Sequence, residues 1–215
     1  MLHPKSLWLD PKNLLRDNWM LNRFRERANH VIRPIAQIFA RTGANPNALT
    51  FIGLAVGALA AFFFGWGDQL LAGVVLLVAG FFDVVDGAVA RILGRETAFG
   101  AVLDSTVDRY VDFLVFTGII YAFVAGKISE PGFLPGWGWG LLAMVGSFMV
   151  SYVRARAEAT GSGKLDVGVA ERAERLVILA IGALVGYTQY AVVLIVILTH
   201  LTVLHRVIVA WHRLR

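Results

Sequence analysis

An all-α, polytopic membrane protein is the fold class this sequence predicts, and three observations carry the prediction. Hydrophobic residues make up 57% of the 215, charged residues only 16%, and the mean hydropathy is +0.65. Soluble domains carry about 25% charged residues, so the bilayer is the expected solvent. Six mostly apolar runs lie near the roughly 20 residues that a helix needs to cross the hydrocarbon core. Finally, the basic residues fall almost entirely between alternate runs.

The six expected spans cover 47–66, 70–92, 98–126, 136–158, 171–187 and 189–211. Gly53 and Gly57 give the first a small-xxx-small face that permits close helix approach. Turn-forming breaks separate the runs at 65–69, 127–139 and 186–189, and Trp66, Trp137, Trp139, Tyr187 and Tyr190 sit beside them. That is the expected place for an interfacial aromatic belt. With six spans, one side of the membrane receives 19 of the 20 Lys and Arg residues, and the other receives only Lys127. The positive-inside rule then puts both termini in the cytoplasm of a multi-pass cell-membrane protein.

Residues 1–46 form the expected cytoplasmic N-terminal segment and 47–215 the transmembrane domain. Within the first, residues 12–42 mix Arg16, Arg23, Arg25, Arg27 and Arg33 with Leu14, Leu15, Trp19, Phe24, Ile32 and Ile35. The spacing predicts an amphipathic helix lying on the cytoplasmic leaflet; a basic tail without regular structure is the other reading. No signal-peptide pattern opens the chain. With no Cys, thiolate metal sites and disulfides are excluded. The net charge of +5 comes in short clusters beside apolar runs, which suits anionic headgroups or a phosphorylated substrate and not nucleic acid.

Ionisable groups inside spans are costly and usually functional. Asp83 and Asp86 are three apart near the end of the second run, and Asp104 and Asp108 are four apart near the start of the third. Each pair shares one helix face, and the short loop at 91–99 lets both faces converge at one depth. Four such carboxylates cannot all stay ionised without cations. An all-oxygen ligand set suits Mg2+ or Mn2+, and four carboxylates suit two ions in each active site. Gly87, Ala90 and Gly100 leave the helix surfaces bare for a pyrophosphate, and Arg91 adds a charge-assisted donor. Asp112 is a fifth acid, expected to pair with Arg109 or with a basic group of the fourth loop.

Asp83, Asp86, Gly87, Ala90 and Arg91, followed after eight residues by Gly100, then Asp104 and Asp108, match D-x-x-D-G-x-x-A-R-x8-G-x3-D-x3-D at every fixed position. In this the chain resembles the CDP-alcohol phosphotransferase family, from about Pro46 to its C-terminus. The resemblance implies that Asp83, Asp86, Asp104 and Asp108 hold the metal and that Asp108 is also the general base. The base takes the proton of an acceptor hydroxyl that attacks the β-phosphorus of a CDP-linked lipid, with CMP leaving. It also implies CDP contacts at Gly87, Arg91 and Thr97, and at Asn47, Ala48, Leu49 and Thr50. A homodimer with one active site per protomer is expected from the same resemblance.

For the acceptor alcohol, the stretch from Ser151 through Arg154 to Glu158 and the later run from Glu171 to Arg175 are similar to the phosphatidylinositol-phosphate and archaetidylinositol-phosphate synthase branch. Ser151 and Arg154 share one helix face, as do Arg172 and Arg175, and the resemblance gives these four the phosphate of inositol 1-phosphate. The other readings are loop charge obeying the positive-inside rule, glycerol 3-phosphate as acceptor of a phosphatidylglycerol-phosphate synthase, a hydrolase of CDP-lipid, and a cation transporter. Against transport, no acidic trail continues toward the far side.

Overall fold

The computed structural model describes residues 32–215. Six helices follow residue 45: α1 (Pro46–Trp66), α2 (Gln69–Leu93), α3 (Ala98–Val124), α4 (Gly136–Ala159), α5 (Arg172–Leu184) and α6 (Thr188–Leu214). Among the described residues there is no strand.

Local chemistry sets the ends of the helices that carry the acids. Asn45 caps α1 by accepting from Asn47 N, with Pro46 at the first helical position, where its missing N–H costs nothing. Asp68 caps α2 through Leu71 N at 3.0 Å, and Gly94, at φ 60°, ends it in the left-handed region that glycine enters without strain. Three residues later Thr97 caps α3, its Oγ1 accepting from Gly100 N at 2.9 Å. The α2–α3 turn is therefore short and closed by chemistry at both ends.

The helices form a ring. α1 packs on both α2 and α3, α3 on α4, α4 on α6, α6 on α5, and α5 back on α2. Although consecutive in sequence, α2 and α3 do not pack closely on each other; α1 lies against both. The gap between them is where the acidic faces meet. Close approach inside the ring depends on missing side chains: a Cβ on Gly118 of α3 would strike the Ala61 carbonyl of α1. The apolar core, with Phe64, Leu76, Val115, Ile119, Leu179 and Ile195, fills the interior of the ring and extends to Val107 and Val111 beside the aspartates of α3.

Outward faces carry long rows of exposed apolar residues, among them Phe51, Phe62, Leu70, Leu77, Leu194 and Leu201. Exposure on this scale identifies a surface made for lipid and not for water. Four helices, α1, α2, α4 and α6, are long and apolar enough to cross a membrane. Two expected spans look different. α3 has the length, but its first 15 residues hold Asp104, Asp108, Arg109 and Asp112. α5 has only 13 residues, because residues 160–171 form an irregular connection and the chain turns again at 185–187.

Of the expected amphipathic helix, residues 12–31 lie outside the described residues. Residues 32–41 are helical. Ala36 is fully buried in a small cluster with Leu49, Val85 and Val89, so this segment is seated on α1 and α2.

Candidate active site

The ring brings three carboxylates to one point. One oxygen each from Asp83 (α2), Asp104 and Asp108 (α3) lies within 4.8 Å of the others. Asp86 stands beside this trio, 5% exposed, with its Oδ2 accepting a 2.6 Å hydrogen bond from Thr50 Oγ1 of α1. Converging hard oxygen donors from two helices fit a divalent cation of the Mg2+ or Mn2+ type. A protein cation also lies against them: Arg172 Nη1, from the first turn of α5, is 2.8 Å from Asp83 and 3.0 Å from Asp108.

A cavity of about 400 Å3 opens on one side of the acids, lined by α1, α2, the α2–α3 turn and α3. It includes Asn47, Thr50, Gly87, Ala90, Arg91, Thr97 and Gly100, together with Asp83, Asp86 and Asp104. A Cβ on Gly87 would meet nothing nearer than the Arg91 guanidinium at 3.6 Å. That glycine is therefore not demanded by helix packing, and its bare backbone faces the cavity. Ala48 is not in the lining, and Leu49 turns the other way, 3% exposed in the cluster around Ala36. Helical periodicity explains the split: Asn47 and Thr50, three apart, share the face that Leu49 does not. Arg95 and Glu96 of the turn also line the cavity. Sequence reasoning passed over both, since an exposed loop pair carries no pattern of its own.

On the other side of Asp83 and Asp86, a narrow crevice continues to Asp108 and Arg172. The acids thus form a partition, with the large cavity before them and the α5 arginines behind.

Those arginines are already engaged by the protein. Arg175 is 4% exposed; its Nη1 donates to the Ala170 carbonyl at 2.7 Å and its Nη2 to Asp112 Oδ2 at 3.0 Å. Asp112 also lies 3.7 Å from Arg172 Nε. The fifth acid is therefore a partner of the α5 arginines. Arg109 instead donates to the Ser105 carbonyl at 2.6 Å and lies 3.8 Å from Asp108. Arg154 of α4 reaches Glu158 at 3.2 Å, Asp166 at 2.7 Å and Glu171 at 3.7 Å. Ser151 sits three residues earlier, its hydroxyl directed to the Ser147 carbonyl at 3.5 Å. Ser151 and Arg154 on α4 and Arg172 and Arg175 on α5 thus come from two elements, joined where Arg154 reaches Glu171, the residue before Arg172.

An acidic cluster able to hold a divalent cation between helices of a lipid-facing ring, with an open cavity beside it, fits the class of metal-dependent membrane enzymes. The chain belongs to the CDP-alcohol phosphatidyltransferase family, whose model matches residues 44–211. It is 40% identical to the archaetidylinositol phosphate synthase of Pyrococcus horikoshii over 195 residues, 91% of this chain and 98% of that protein. It is 37% identical to the phosphatidylinositol phosphate synthase of Mycobacteroides abscessus over 169 residues, 74% of this chain and 71% of that protein. Among solved structures it is similar to the Mycobacterium tuberculosis phosphatidylinositol phosphate synthase with CDP-DAG bound, with a TM-score of 0.73 and 32% identity over 85% of this chain and 94% of that one. The same enzyme in complex with manganese and citrate gives a TM-score of 0.74 and 33% identity over 84% and 88%.

Proposed function

We propose that this enzyme transfers a phosphatidyl-type group from CDP-diacylglycerol or CDP-archaeol to inositol 1-phosphate, releasing CMP. The observation that carries the reading is the partition itself: one carboxylate cluster with an open cavity on one side and arginines of α5 on the other. Two substrates that must meet at one phosphorus need such an arrangement. The inositol phosphate synthases among the relatives and solved structures support this acceptor over glycerol 3-phosphate.

In this reading Asp83, Asp86, Asp104 and Asp108 hold two divalent ions, Mg2+ or Mn2+. When bound, they neutralise the pyrophosphate and the CMP leaving group. The chain's own residues do the rest. Gly87, Ala90 and Gly100 admit the pyrophosphate to bare helix surface, with Arg91, Thr97, Asn47 and Thr50 around the nucleotide. Ser151, Arg154, Arg172 and Arg175 take the acceptor's phosphate and turn its hydroxyl toward Asp108. Attack forms the bond from the hydroxyl oxygen to the β-phosphorus and breaks the bond from that phosphorus to CMP. The proton goes to Asp108. All six helices cross or enter the membrane, with both termini and the site facing the cytoplasm and the basic residues on that side. The working unit is a homodimer.

The test is CMP release by the purified protein with Mn2+ and CDP-lipid, comparing inositol 1-phosphate, glycerol 3-phosphate, serine and inositol. CMP together with an inositol-phosphate lipid is the expected result. Turnover with glycerol 3-phosphate alone would overturn the acceptor, and CMP formed without any acceptor would identify a hydrolase.

A further inference from the structure

The turn between α2 and α3 presents two charges to the large cavity that the proposed reaction leaves unused. Arg95 and Glu96 both line it. Their backbone is fixed from either side. Arg95 N donates to the Ala90 carbonyl at 3.0 Å, just beyond the left-handed Gly94, and Thr97 Oγ1 opens α3 by accepting from Gly100 N at 2.9 Å. A Cβ on Gly100 would stand 3.8 Å from Asn47 Oδ1 of α1, so α1, the turn and α3 converge around this mouth of the cavity. Arg154, Arg172 and Arg175 are all engaged by carboxylates of the protein. Among the described residues no such pair joins Arg95 to Glu96, and no side-chain hydrogen bond holds either.

The two ends of the cavity differ in chemistry. At a rise of about 1.5 Å per residue, Asp86 on α2 and Asp104 on α3 each stand about 10 Å from the turn. A pyrophosphate held at the acids therefore directs the rest of its nucleotide, ribose and then base, toward the turn. A carboxylate there lies beyond the metal ligands and repels phosphate; what it can bind is a neutral N–H or O–H donor. The amino group on C4 of cytosine is such a donor, at the far edge of the base. Carboxylates accept from it, whereas uracil carries a carbonyl at the same place, which only accepts. The ring carbonyl O2, which both pyrimidines share, suits a guanidinium donor.

We propose that Glu96 selects the nucleobase of the lipid donor by accepting from the cytosine amino group, while Arg95 donates to O2 and binds without discriminating. Glu96 thereby disfavours a uridine-linked lipid in a site whose contacts to the pyrophosphate would take either nucleotide. The inference rests on the reading of this cavity as the CDP site.

The experiment titrates the full-length protein in detergent, with Mn2+ present, with CDP and with UDP, and reads both Kd values by calorimetry. The two nucleotides differ only at one edge of the base. Wild type is expected to bind CDP at least about tenfold more tightly, which one base-reading contact can supply. Glu96→Gln offers an amide that accepts from cytosine or donates to uracil, so the ratio is expected to fall to about twofold, chiefly through tighter UDP binding. Arg95→Ala is expected to weaken both nucleotides alike, by about fivefold. Both side chains are exposed, and surface substitutions of this kind leave the fold intact. An unchanged ratio in Glu96→Gln overturns the inference, as does a parallel loss of both nucleotides, which would put Glu96 on the ribose. In either case CDP binding by the wild type leaves the CDP site standing. Equal wild-type affinity for CDP and UDP overturns it in the same way. If the wild type binds neither nucleotide, the cavity is not the nucleotide site, and the proposed function falls with the inference.

Discussion

Thr50 Oγ1 donates a 2.6 Å hydrogen bond to Asp86 Oδ2, tying α1 to α2 at the edge of the carboxylate cluster. The same hydroxyl lies 3.1 Å from the Pro46 carbonyl, its helical neighbour four residues back. With one proton to give, it serves the charged acceptor at the shorter distance. Thr50 thereby holds one of the expected metal ligands in a fixed orientation, besides lining the cavity.

Thr50→Val keeps the shape and removes the donor. Partners of metal ligands typically change metal affinity by about 10–100-fold when lost. The expected outcome is a Mn2+ activation midpoint displaced at least tenfold upward, with turnover restored at saturating metal. An unchanged midpoint would mean that Asp86 needs no orienting partner.

Chelation with EDTA is expected to abolish CMP release, and either Mn2+ or Mg2+ to restore it, because the converging oxygens of Asp83, Asp104 and Asp108 offer only hard donors. Full activity after exhaustive chelation would remove the metal from the mechanism.

Asp108→Asn should leave less than about one thousandth of turnover, since it removes both the proposed proton acceptor and a charged ligand oxygen. CDP-lipid binding, read by calorimetry, should fall much less. Substantial residual turnover would exclude Asp108 as the base.

Asp112→Asn leaves the Arg175 guanidinium, 4% exposed, facing a neutral amide. Stripping a buried pair of one charge costs about 3–5 kcal/mol, and retention of a hydrogen bond by Asn reduces this to about 2 kcal/mol. A lowered Tm in detergent is expected, with a raised acceptor KM because Arg172 loses the same partner. A wild-type Tm would show that Ala170 alone holds Arg175.

Gly118→Ala tests the ring. The added Cβ would strike the Ala61 carbonyl on α1, so the helices must separate. Overpacking of this kind costs about 1–3 kcal/mol. Loss of Tm without a change in either KM is expected, since the contact lies well away from the acids.

Much of this protein was legible in its sequence because its strongest signals are local. A missing charge over some 20 residues dictates a lipid-facing helix, and α1, α2, α4 and α6 meet that description. Carboxylates spaced three and four apart must share a helix face, so the acids of α2 and of α3 each present one edge. The same spacing in a fixed motif carries the family, which the match over 44–211 shows. What the tertiary structure decided is which faces meet. Sequence adjacency suggested that α2 and α3 pair directly, whereas α1 lies against both and Arg172 of α5 bridges their acids. Asp112 finds the arginines of α5, 60 and 63 positions away in the chain, and not its neighbour Arg109. Arg206 reads in sequence as one more cytoplasmic charge; only the fold shows it buried among three segments. Periodicity within a helix is set by backbone geometry, and any window of sequence displays it. Contact between helices is set by where side chains are small enough to let backbones approach, which is a property of the whole ring.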